Sequence, residues 1–396
     1  MSGASSASSA GIGTDTGTGN GNMTTHGKLD AVLGRYRGML GNALLQALQD
    51  ARGAAPAQTS SQSRRLLDDF YGQIEYHHGW RAPDLQPKAW QPGKLLRPTL
   101  LLLACEVAAS QAGRDPAAAA RQAVPAALAV EVVHNFSLIH DDIEDGDEER
   151  HHQPTLWKLW GVPQAINTGD AVFALARLQL RELSTRGVPA ETALAVAARL
   201  DATSIELCEG QYLDMSFEGR RDVTVAMYLD MIGRKTAALM ECAAAMGAQI
   251  GAPDDGALCE RLGAFGRALG MGFQLRDDML GIWSAVALGK SAGGDLRQKK
   301  MSLPVIAALE HGSPADQRTL TTIYDEPGPA SDAQISTLLA ILERTQARER
   351  TRTMLRKQCD EARTLLDSIC GATTLTTSDA CAALGVLLDF VAEEGI

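Results

Sequence analysis

The 396-residue sequence has few aromatic residues, no CxxC pair and no excess of positive charge. Its 37 Lys and Arg against 48 Asp and Glu give a formal net charge of −11. This argues against a general nucleic-acid binder, because such proteins need a positive face that displaces counterions. The seven Cys, odd in number and widely spread, predict neither a disulfide framework nor a zinc site, and they favour a reducing cytoplasm.

The sequence also shows no pattern typical of a membrane span or a signal peptide. No apolar run approaches the roughly 18 residues that a membrane span needs, so no span is predicted. Residues 1–26 contain 6 Gly, 5 Ser and 5 Thr and lack the basic and apolar regions of a signal peptide. They are predicted to form a flexible, disordered tail.

After the tail, apolar residues recur at helical spacing, as in Leu29, Leu33, Tyr36 and Leu40. Alanine-rich stretches favour helix by intrinsic propensity, and useful alternating strand patterns are absent. These stretches are 116–133, 190–207 and 236–249. No break is long enough to be a domain linker, and no repeat of 20–50 residues is present. The prediction is an all-α fold with one large multi-helix bundle over 27–396.

The densest chemical signal is 141–150, which holds seven acids in ten residues directly after an apolar helical segment. On a helix Asp141 and Asp145 share one face, with Asp142 beside them, and a divalent metal would relieve their repulsion. A solvated acidic helix end is the alternative interpretation. An EF-hand is excluded, because Ile143 and His152 would stand where oxygen ligands are required.

A second acidic pair, Asp277 and Asp278, lies within an apolar helical pattern more than 100 residues later. If the two helices face each other, their carboxylates suit Mg²⁺ that is also bound by the phosphate oxygens of a ligand. Several basic residues could clamp a diphosphate, although each alone reads as a surface charge. These residues are Lys94, Arg97, Arg150, Arg234, Lys235, Lys290, Lys299 and Lys300.

In this order, from about 76 to 305, the segments resemble the trans-isoprenyl diphosphate synthases, the farnesyl and geranylgeranyl diphosphate synthase family. GKLLRP at 93–98 is similar to the GKxxRP segment, and HNFSLIHDDIED at 134–145 to the first aspartate-rich motif. RHHQPT at 150–155 follows as its continuation. The remaining matches are Gly210-Gln211 with Asp214, Lys235-Thr236, FQLRDD at 273–278 and GKSAGGDLRQKK at 289–300.

The resemblance implies an isoprenoid-synthase bundle with a central active-site cavity and three Mg²⁺ ions per site. The metal ligands would be Asp141, Asp145 and Asp277, supported by Asp142 and Asp278. The allylic diphosphate would be bound by Arg150, Lys235, Thr236, Gln274, Lys290 and Lys300. Isopentenyl diphosphate would be held by Lys94, Arg97 and His134, with His151 at a neighbouring position of that site. Catalysis would fall to Asp141, Asp142, Asp145, Arg150, Lys235, Asp277 and Asp278.

The implied reaction is a head-to-tail condensation of isopentenyl diphosphate with an allylic diphosphate. An allylic cation forms, the isopentenyl double bond attacks it, and a proton leaves. Three positions depart from the family: Gly281 replaces the last Asp of the second motif, His151 the second Arg of a pair, and Leu95 a commonly basic residue. These changes concern the isopentenyl site most, so a class I terpene cyclase stays open as an alternative, as does a weakly active partner subunit. The shortage of aromatic residues, which can stabilise carbocations, favours chain elongation.

Product length is expected to depend on Phe136 and Ser137, roughly 6 to 7.5 Å before Asp141 along the helix axis. Phe136 is either the floor of the product cavity or an ordinary core residue. An aromatic at this position resembles a geranylgeranyl-type synthase, which favours a C20 product over C15. The resemblance also implies a homodimer, and the tail suggests either an inert extension or a signal for loading into an encapsulin shell.

Overall fold

The computed structural model describes residues 24–53, 59–89, 93–287, 294–371 and 379–393. Most of the predicted tail and Lys290 lie outside these residues. The described chain is almost entirely helical, which confirms the predicted all-α fold. Its helices are α1 (Thr25–Gly53), α2 (Ser61–His77), α3 (Leu96–Gln111), α4 (Pro116–Glu144), α5 (Leu156–Trp160), α6 (Val162–Thr185), α7 (Ala190–Phe217), α8 (Val225–Ile232), a π-helical turn (Gly233–Ala237), α9 (Ala238–Gly251), α10 (Gly256–Ala287), α11 (Gly294–Arg297), α12 (Leu303–His311), α13 (Pro314–Asp325), α14 (Asp332–Arg344), α15 (Ala347–Cys370) and α16 (Asp379–Ala392).

The centre of the bundle is α3, which packs between α4 and α9. Residues 100–104 of α3 are completely buried. On α9, Gly247 allows the two helices to touch, because a Cβ there would overlap the carbonyl oxygen of Leu101 and lie 3.0 Å from the Cys105 nitrogen. In turn α10 packs against α9 and α15, and α4 against α6. The two helices that carry the predicted acidic motifs are therefore both core helices.

Among the described helices, α4 is long and apolar enough to cross a membrane by length and composition. However, 61% of its apolar window is buried inside the protein. A core helix of a globular protein passes the same test, so this is weak support for a membrane span.

Within the described residues, one hairpin interrupts the helices. Strands β1 (Glu149–Arg150) and β2 (Gln153–Pro154) pair antiparallel, with Arg150 opposite Gln153. His151 and His152 form the turn with φ of 52° and 62°. Both are exposed.

The sequence signals no disulfide framework, but the structure contains one disulfide that no spacing motif indicates. A disulfide joins Cys370, the last residue of α15, to Cys381 in α16. Their spacing of 11 residues matches no simple motif, and only the packing of α16 against α15 brings the two Cα atoms to 6.2 Å. The other five cysteines are free thiols.

The first helix begins at Thr25, two residues before the predicted domain boundary. Its buried face is the predicted apolar stripe, which includes Leu29, Leu33 and Tyr36. Near its start, the His26 ring packs edge-on against Phe390 of α16, with centroids 5.6 Å apart. The N-terminal helix thus contacts the C-terminal one.

Candidate active site

The first acidic cluster lies at the C-terminal end of α4. Asp145 follows the last helical residue, and its N–H donates to the carbonyl oxygen of Asp141 at 2.8 Å, so the two acids are one turn apart, as the i, i+4 spacing predicts. Burial raises the pKa of Asp141 to about 7, and the charges of Asp145 and Glu144 add to this effect. The Lys235 ammonium opposes it. A bound cation or a proton reduces the repulsion between the carboxylates at this end of α4.

Asp142, next in the chain, has a different environment. It is 3% exposed, the Arg150 Nε–H donates to its Oδ1 at 2.7 Å, and Arg150 Nη2 forms an ion pair with the same oxygen at 2.7 Å. Burial nevertheless raises its pKa to about 6. The hairpin that carries Arg150 is fixed to the helix end by a hydrogen bond from the Asp147 N–H to the Asp142 carbonyl oxygen at 2.9 Å. Asp142 therefore holds Arg150 in place beside the cluster.

The second acidic pair lies on α10. Asp278 is 4% exposed and accepts hydrogen bonds from the Tyr228 hydroxyl at 2.7 Å, the Gln274 amide at 3.0 Å and the Leu303 N–H at 3.2 Å. Burial raises its pKa to about 7, and these three donors oppose that shift. Both carboxylate oxygens therefore accept hydrogen bonds from other residues of the protein, and Asp278 connects α10 to α8 and to the start of α12.

Asp277 is available to a ligand. No described residue hydrogen-bonds its carboxylate, and burial raises its pKa to about 6 against the nearby charges of Arg276, Lys94 and Arg97. Arg97 acts electrostatically on both Glu131 of α4 and Asp277 of α10. Since Arg97 begins α3, the central helix places a guanidinium between the two acidic helices.

Lys235 and Lys300 complete this convergence of charge. Lys235 acts on Asp141 and Asp145 and donates to Asp214 of α7 at 2.5 Å. Lys300 acts on Asp145 and also on Asp295 at the start of α11. Because Asp295 also acts on Asp277, Lys300 and Asp295 connect the two predicted motifs electrostatically.

The π-helical turn positions Lys235. A Cβ at Gly210 of α7 would overlap the Lys235 backbone nitrogen and lie 2.7 Å from its Cα, so α7 can approach the turn only through glycine. The next residue, Thr236, donates to Gln274 Oε1 at 3.0 Å. This ties the turn to α10.

Of the three residues expected to hold isopentenyl diphosphate, Arg97 and His134 lie together. Burial, with the charges of Arg97 and Arg150, lowers the pKa of His134 well below its usual value, so its imidazole is neutral. The Arg97 Nε is buried, and no described residue accepts a hydrogen bond from it. An unpaired guanidinium donor beside a neutral imidazole suits an anionic ligand.

Lys94 and Leu95 are neighbours in the chain but have different surroundings. The Lys94 ammonium is 5.1 Å from the centre of the Phe390 ring, and the Arg276 guanidinium is 4.4 Å from the same ring. Leu95 is buried and has a left-handed φ of 53° at the start of α3. It packs into the core and leaves Lys94 and Arg97 to supply charge.

Phe136 and Ser137 lie on the half-buried part of α4 before the acids. The Phe136 ring is 4.9 Å from that of Phe173 on α6 and 4.8 Å from that of His140. Ser137 donates to the carbonyl oxygen of His134 at 2.9 Å. Two aromatic rings from adjacent helices thus meet about one and a half turns before Asp141.

The carboxylates fit a metal that arrives with its ligand. Among the described residues, no group of three acidic, His or Cys side chains could hold an ion by itself. Mg²⁺ is typically bound by one or two protein carboxylates together with phosphate oxygens and water. The Asp141 and Asp145 pair and the unpaired Asp277 meet that requirement, because each presents carboxylate oxygens in a part-buried, crowded setting.

Sequence reasoning missed several residues of this region. Glu131 could have been found, because a lone acid in an apolar helix needs a partner such as Arg97. Tyr228 and Phe173 had no signal, since only packing between helices places them here.

A sequence profile of the polyprenyl synthetase family matches residues 86–342, which is more than half of the chain. The chain belongs to the polyprenyl synthetase family. This confirms the resemblance to trans-isoprenyl diphosphate synthases, and the chain is a prenyltransferase enzyme of that family. Members of the family use divalent metal to bind diphosphate.

Relatives of known name support short-chain trans-prenyl diphosphate synthesis. The (2E,6E)-farnesyl diphosphate synthase of Mycobacterium tuberculosis is 42% identical over 274 residues, 68% of this chain and 72% of that one. A geranylgeranyl diphosphate synthase of the same organism is 38% identical over 312 residues, 78% of this chain and 84% of that one. A crystal structure of a polyprenyl synthetase from Streptomyces coelicolor has a TM-score of 0.76 at 35% identity, covering 92% of this chain and 99% of that one.

Proposed function

We propose that this polyprenyl synthetase condenses isopentenyl diphosphate with an allylic diphosphate head to tail and that the reaction depends on Mg²⁺. The observation that carries the proposal is the convergence of two acidic helices and several cations from neighbouring elements. Lys235 and Lys300 act on Asp145 on one side, and Arg97 acts on Asp277 on the other side and on Glu131 of α4. Asp295, on which Lys300 also acts, in turn acts on Asp277.

The allylic diphosphate is assigned to the acidic side. Asp141, Asp145 and Asp277 are the proposed ligands of three Mg²⁺ ions, which when bound neutralise the departing diphosphate. Lys235, Lys300 and Arg150 bind its oxygens, and Thr236 and Gln274 contact the same diphosphate. Lys290 is proposed to act there too. Such positioned charges stabilise the bond cleavage because they need no rearrangement as charge develops.

Isopentenyl diphosphate is assigned to Arg97, His134 and Lys94. The unpaired Arg97 Nε and the neutral His134 offer donors to its phosphates. His151 is exposed at the hairpin turn, and a role there remains part of the proposal. Holding both substrates converts a reaction between two molecules into one within the complex. The allylic C1–O bond breaks with its electron pair leaving on diphosphate, the isopentenyl double bond forms the new C–C bond at C1, and a proton is lost to give a linear product.

The product is proposed to be C20, with C15 as the next choice. Phe136 and Phe173 together form the proposed stop, since their rings meet on the side of α4 that precedes the acids. Ser137, which lies between Phe136 and the acids, has a small side chain and leaves room for the growing product on this side of α4. The relatives include both C15 and C20 enzymes by name and do not choose between them.

The chain is proposed to work as a cytoplasmic homodimer, with residues 27–396 as its catalytic domain. Large apolar side chains are exposed on α6 and α7, where a second copy would cover them. They include Ile166, Leu194, Ile205 and Tyr212. Encapsulin loading by the N-terminal tail is a further proposal, and it rests on the composition of residues 1–26 alone.

The deciding experiment is incubation of purified protein and Mg²⁺ with isopentenyl diphosphate plus dimethylallyl, geranyl or farnesyl diphosphate. Linear diphosphates identified by mass spectrometry are the expected products. A hydrocarbon or alcohol that forms without isopentenyl diphosphate would instead identify a terpene cyclase. Turnover only after addition of a second synthase subunit would identify a partner subunit.

A further inference from the structure

Gly281, where the second acidic motif lacks its last acid, lies directly under another carboxylate. It is one turn beyond Asp277 on α10, so the two positions share one face of the helix. A Cβ built on Gly281 would overlap Oδ2 of Asp295 and lie 2.6 Å from its Cγ. The Asp295 side chain therefore occupies the space that an acidic side chain at 281 would fill.

Asp295 is held there by its backbone. It lies in α11, which packs against α10, and the Lys300 N–H donates to its carbonyl oxygen at 2.9 Å. In contrast, no described residue donates a hydrogen bond to its carboxylate, and no ion pair involves it among the described residues. A part-buried carboxylate without donors is costly unless a cation is close.

The surroundings of Asp295 are those of the second acidic motif. Its negative charge acts on both Asp277 and Asp278, and the Lys300 charge acts on Asp295. Because Asp278 is occupied by Tyr228, Gln274 and Leu303, the helix itself offers only Asp277 to a ligand. Asp295 supplies a second free carboxylate beside it.

We propose that Asp295 replaces the missing acid at position 281 and helps to bind the Mg²⁺–diphosphate complex opposite Asp141 and Asp145. The inference rests on the proposed function for the identity of the ligand. It adds a residue that the motif on α10 does not contain, and it explains how the chain tolerates glycine there. The simpler view is that the Lys300 charge only acts on Asp295 at a distance and that Asp295 stabilises the start of α11.

The test measures metal binding directly. Mn²⁺ binding in the presence of inorganic diphosphate is followed by electron paramagnetic resonance for the wild type, Asp295→Asn and the exposed control Asp254→Asn. We expect Asp295→Asn to weaken Mn²⁺ binding by about tenfold or more, because loss of a group that binds or orients the ion typically costs 10–100-fold. Asp254→Asn should match the wild type.

A relocation experiment separates metal binding from a structural role. Gly281→Asp alone should weaken Mn²⁺ binding, because the new side chain collides with Asp295. Combined with Asp295→Ala it should restore binding to within a few fold of the wild type, since the carboxylate returns to α10. Circular dichroism and thermal melting check that each variant is folded.

Unchanged Mn²⁺ affinity in folded Asp295→Asn would overturn the inference, and so would a folded double variant that binds Mn²⁺ as poorly as Asp295→Asn. These readouts are independent of product formation. If the wild type makes no linear product but Asp295→Asn still loses Mn²⁺, the proposed reaction fails while the assignment of Asp295 stands.

Discussion

At the residue scale, the acids of the site are held in an environment that disfavours their charge. Burial raises the pKa of Asp141 to about 7 and that of Asp277 to about 6. An unfolded Asp has a pKa near 3.9, so between about pH 4 and 7 the metal-free native state binds more protons than the unfolded state. This contribution to stability is therefore present at low pH and is lost as the pH rises through the folded pKa. The ionised acids therefore lower the stability of the metal-free protein, and bound cations offset this loss.

Asp141→Asn should separate activity from stability. We expect loss of condensation on the order of 1,000-fold, because positioned metal charge is worth several kcal/mol in the transition state. Without metal, however, the variant should melt at a higher temperature than the wild type at pH 8, and this gap should shrink at pH 5, where Asp141 is protonated. Differential scanning calorimetry at both pH values checks it. A lower melting temperature for the variant at pH 8 would contradict the burial argument.

Phe136→Ala and Phe173→Ala should each lengthen the product by one or more C5 units, because each removes one ring of the proposed stop. Ser137→Phe should shorten it, since a ring is added closer to Asp141. Phe70→Ala is the matched control, as Phe70 packs edge-on against Tyr71 of α2. Mass spectrometry of the product diphosphates reads the result. If all variants make a product of the same chain length, Phe136 is an ordinary core residue and does not limit the product.

The acids and most cations of the candidate site could be proposed from the sequence, because residue type and spacing point to their chemistry. The sequence could not predict that Asp142 pairs with Arg150, that Asp278 is saturated by Tyr228, or that Asp295 lies over Gly281. Each of these contacts joins residues from separate elements, so it depends on packing that no local pattern encodes.

At the element scale, the alanine-rich stretches and the apolar stripe of the first helix predicted helices that the structure contains. Intrinsic propensity and apolar spacing act within one segment, so they can be read locally. The π-helical turn at Gly233–Ala237 and the hairpin at 149–154 were not predicted, because they are set by contacts with α7 and with the end of α4. The Cys370–Cys381 disulfide was missed for the same reason.

Gly210→Ala tests how α7 positions the π-helical turn. A Cβ at 210 would overlap the Lys235 backbone, so the turn must shift and Lys235 must leave its place beside Asp141. We expect a loss of about 1–3 kcal/mol of stability and a clear fall in kcat. Gly34→Ala in α1 is the control, because a Cβ there meets no heavy atom within 4 Å, and it should stabilise the protein by about 0.5–1 kcal/mol. Wild-type kcat in a folded Gly210→Ala protein would show that the turn does not position Lys235.

At the scale of the whole molecule, the bundle leaves an apolar stripe along α7 open. Leu194, Ile205 and Tyr212 are separated by 11 and 7 residues, which places them on one face of the helix. Their exposed fractions are 72%, 64% and 68%. Such a stripe is typical of a surface that another protein covers, and a second copy of the chain is the partner that we propose.

Ile205→Lys should therefore convert the dimer to a monomer, because the buried ammonium would have no partner in the interface. Light scattering coupled to size-exclusion chromatography measures the mass. Leu66→Lys is the control, because Leu66 is 67% exposed but lies on α2, away from the stripe. Since α7 also carries Gly210 and Asp214, which hold Lys235, the monomer should lose activity although each bundle stays folded. If Ile205→Lys keeps the dimer mass, or if the wild type is itself a monomer, then the stripe on α7 serves another partner and the two active sites do not depend on each other.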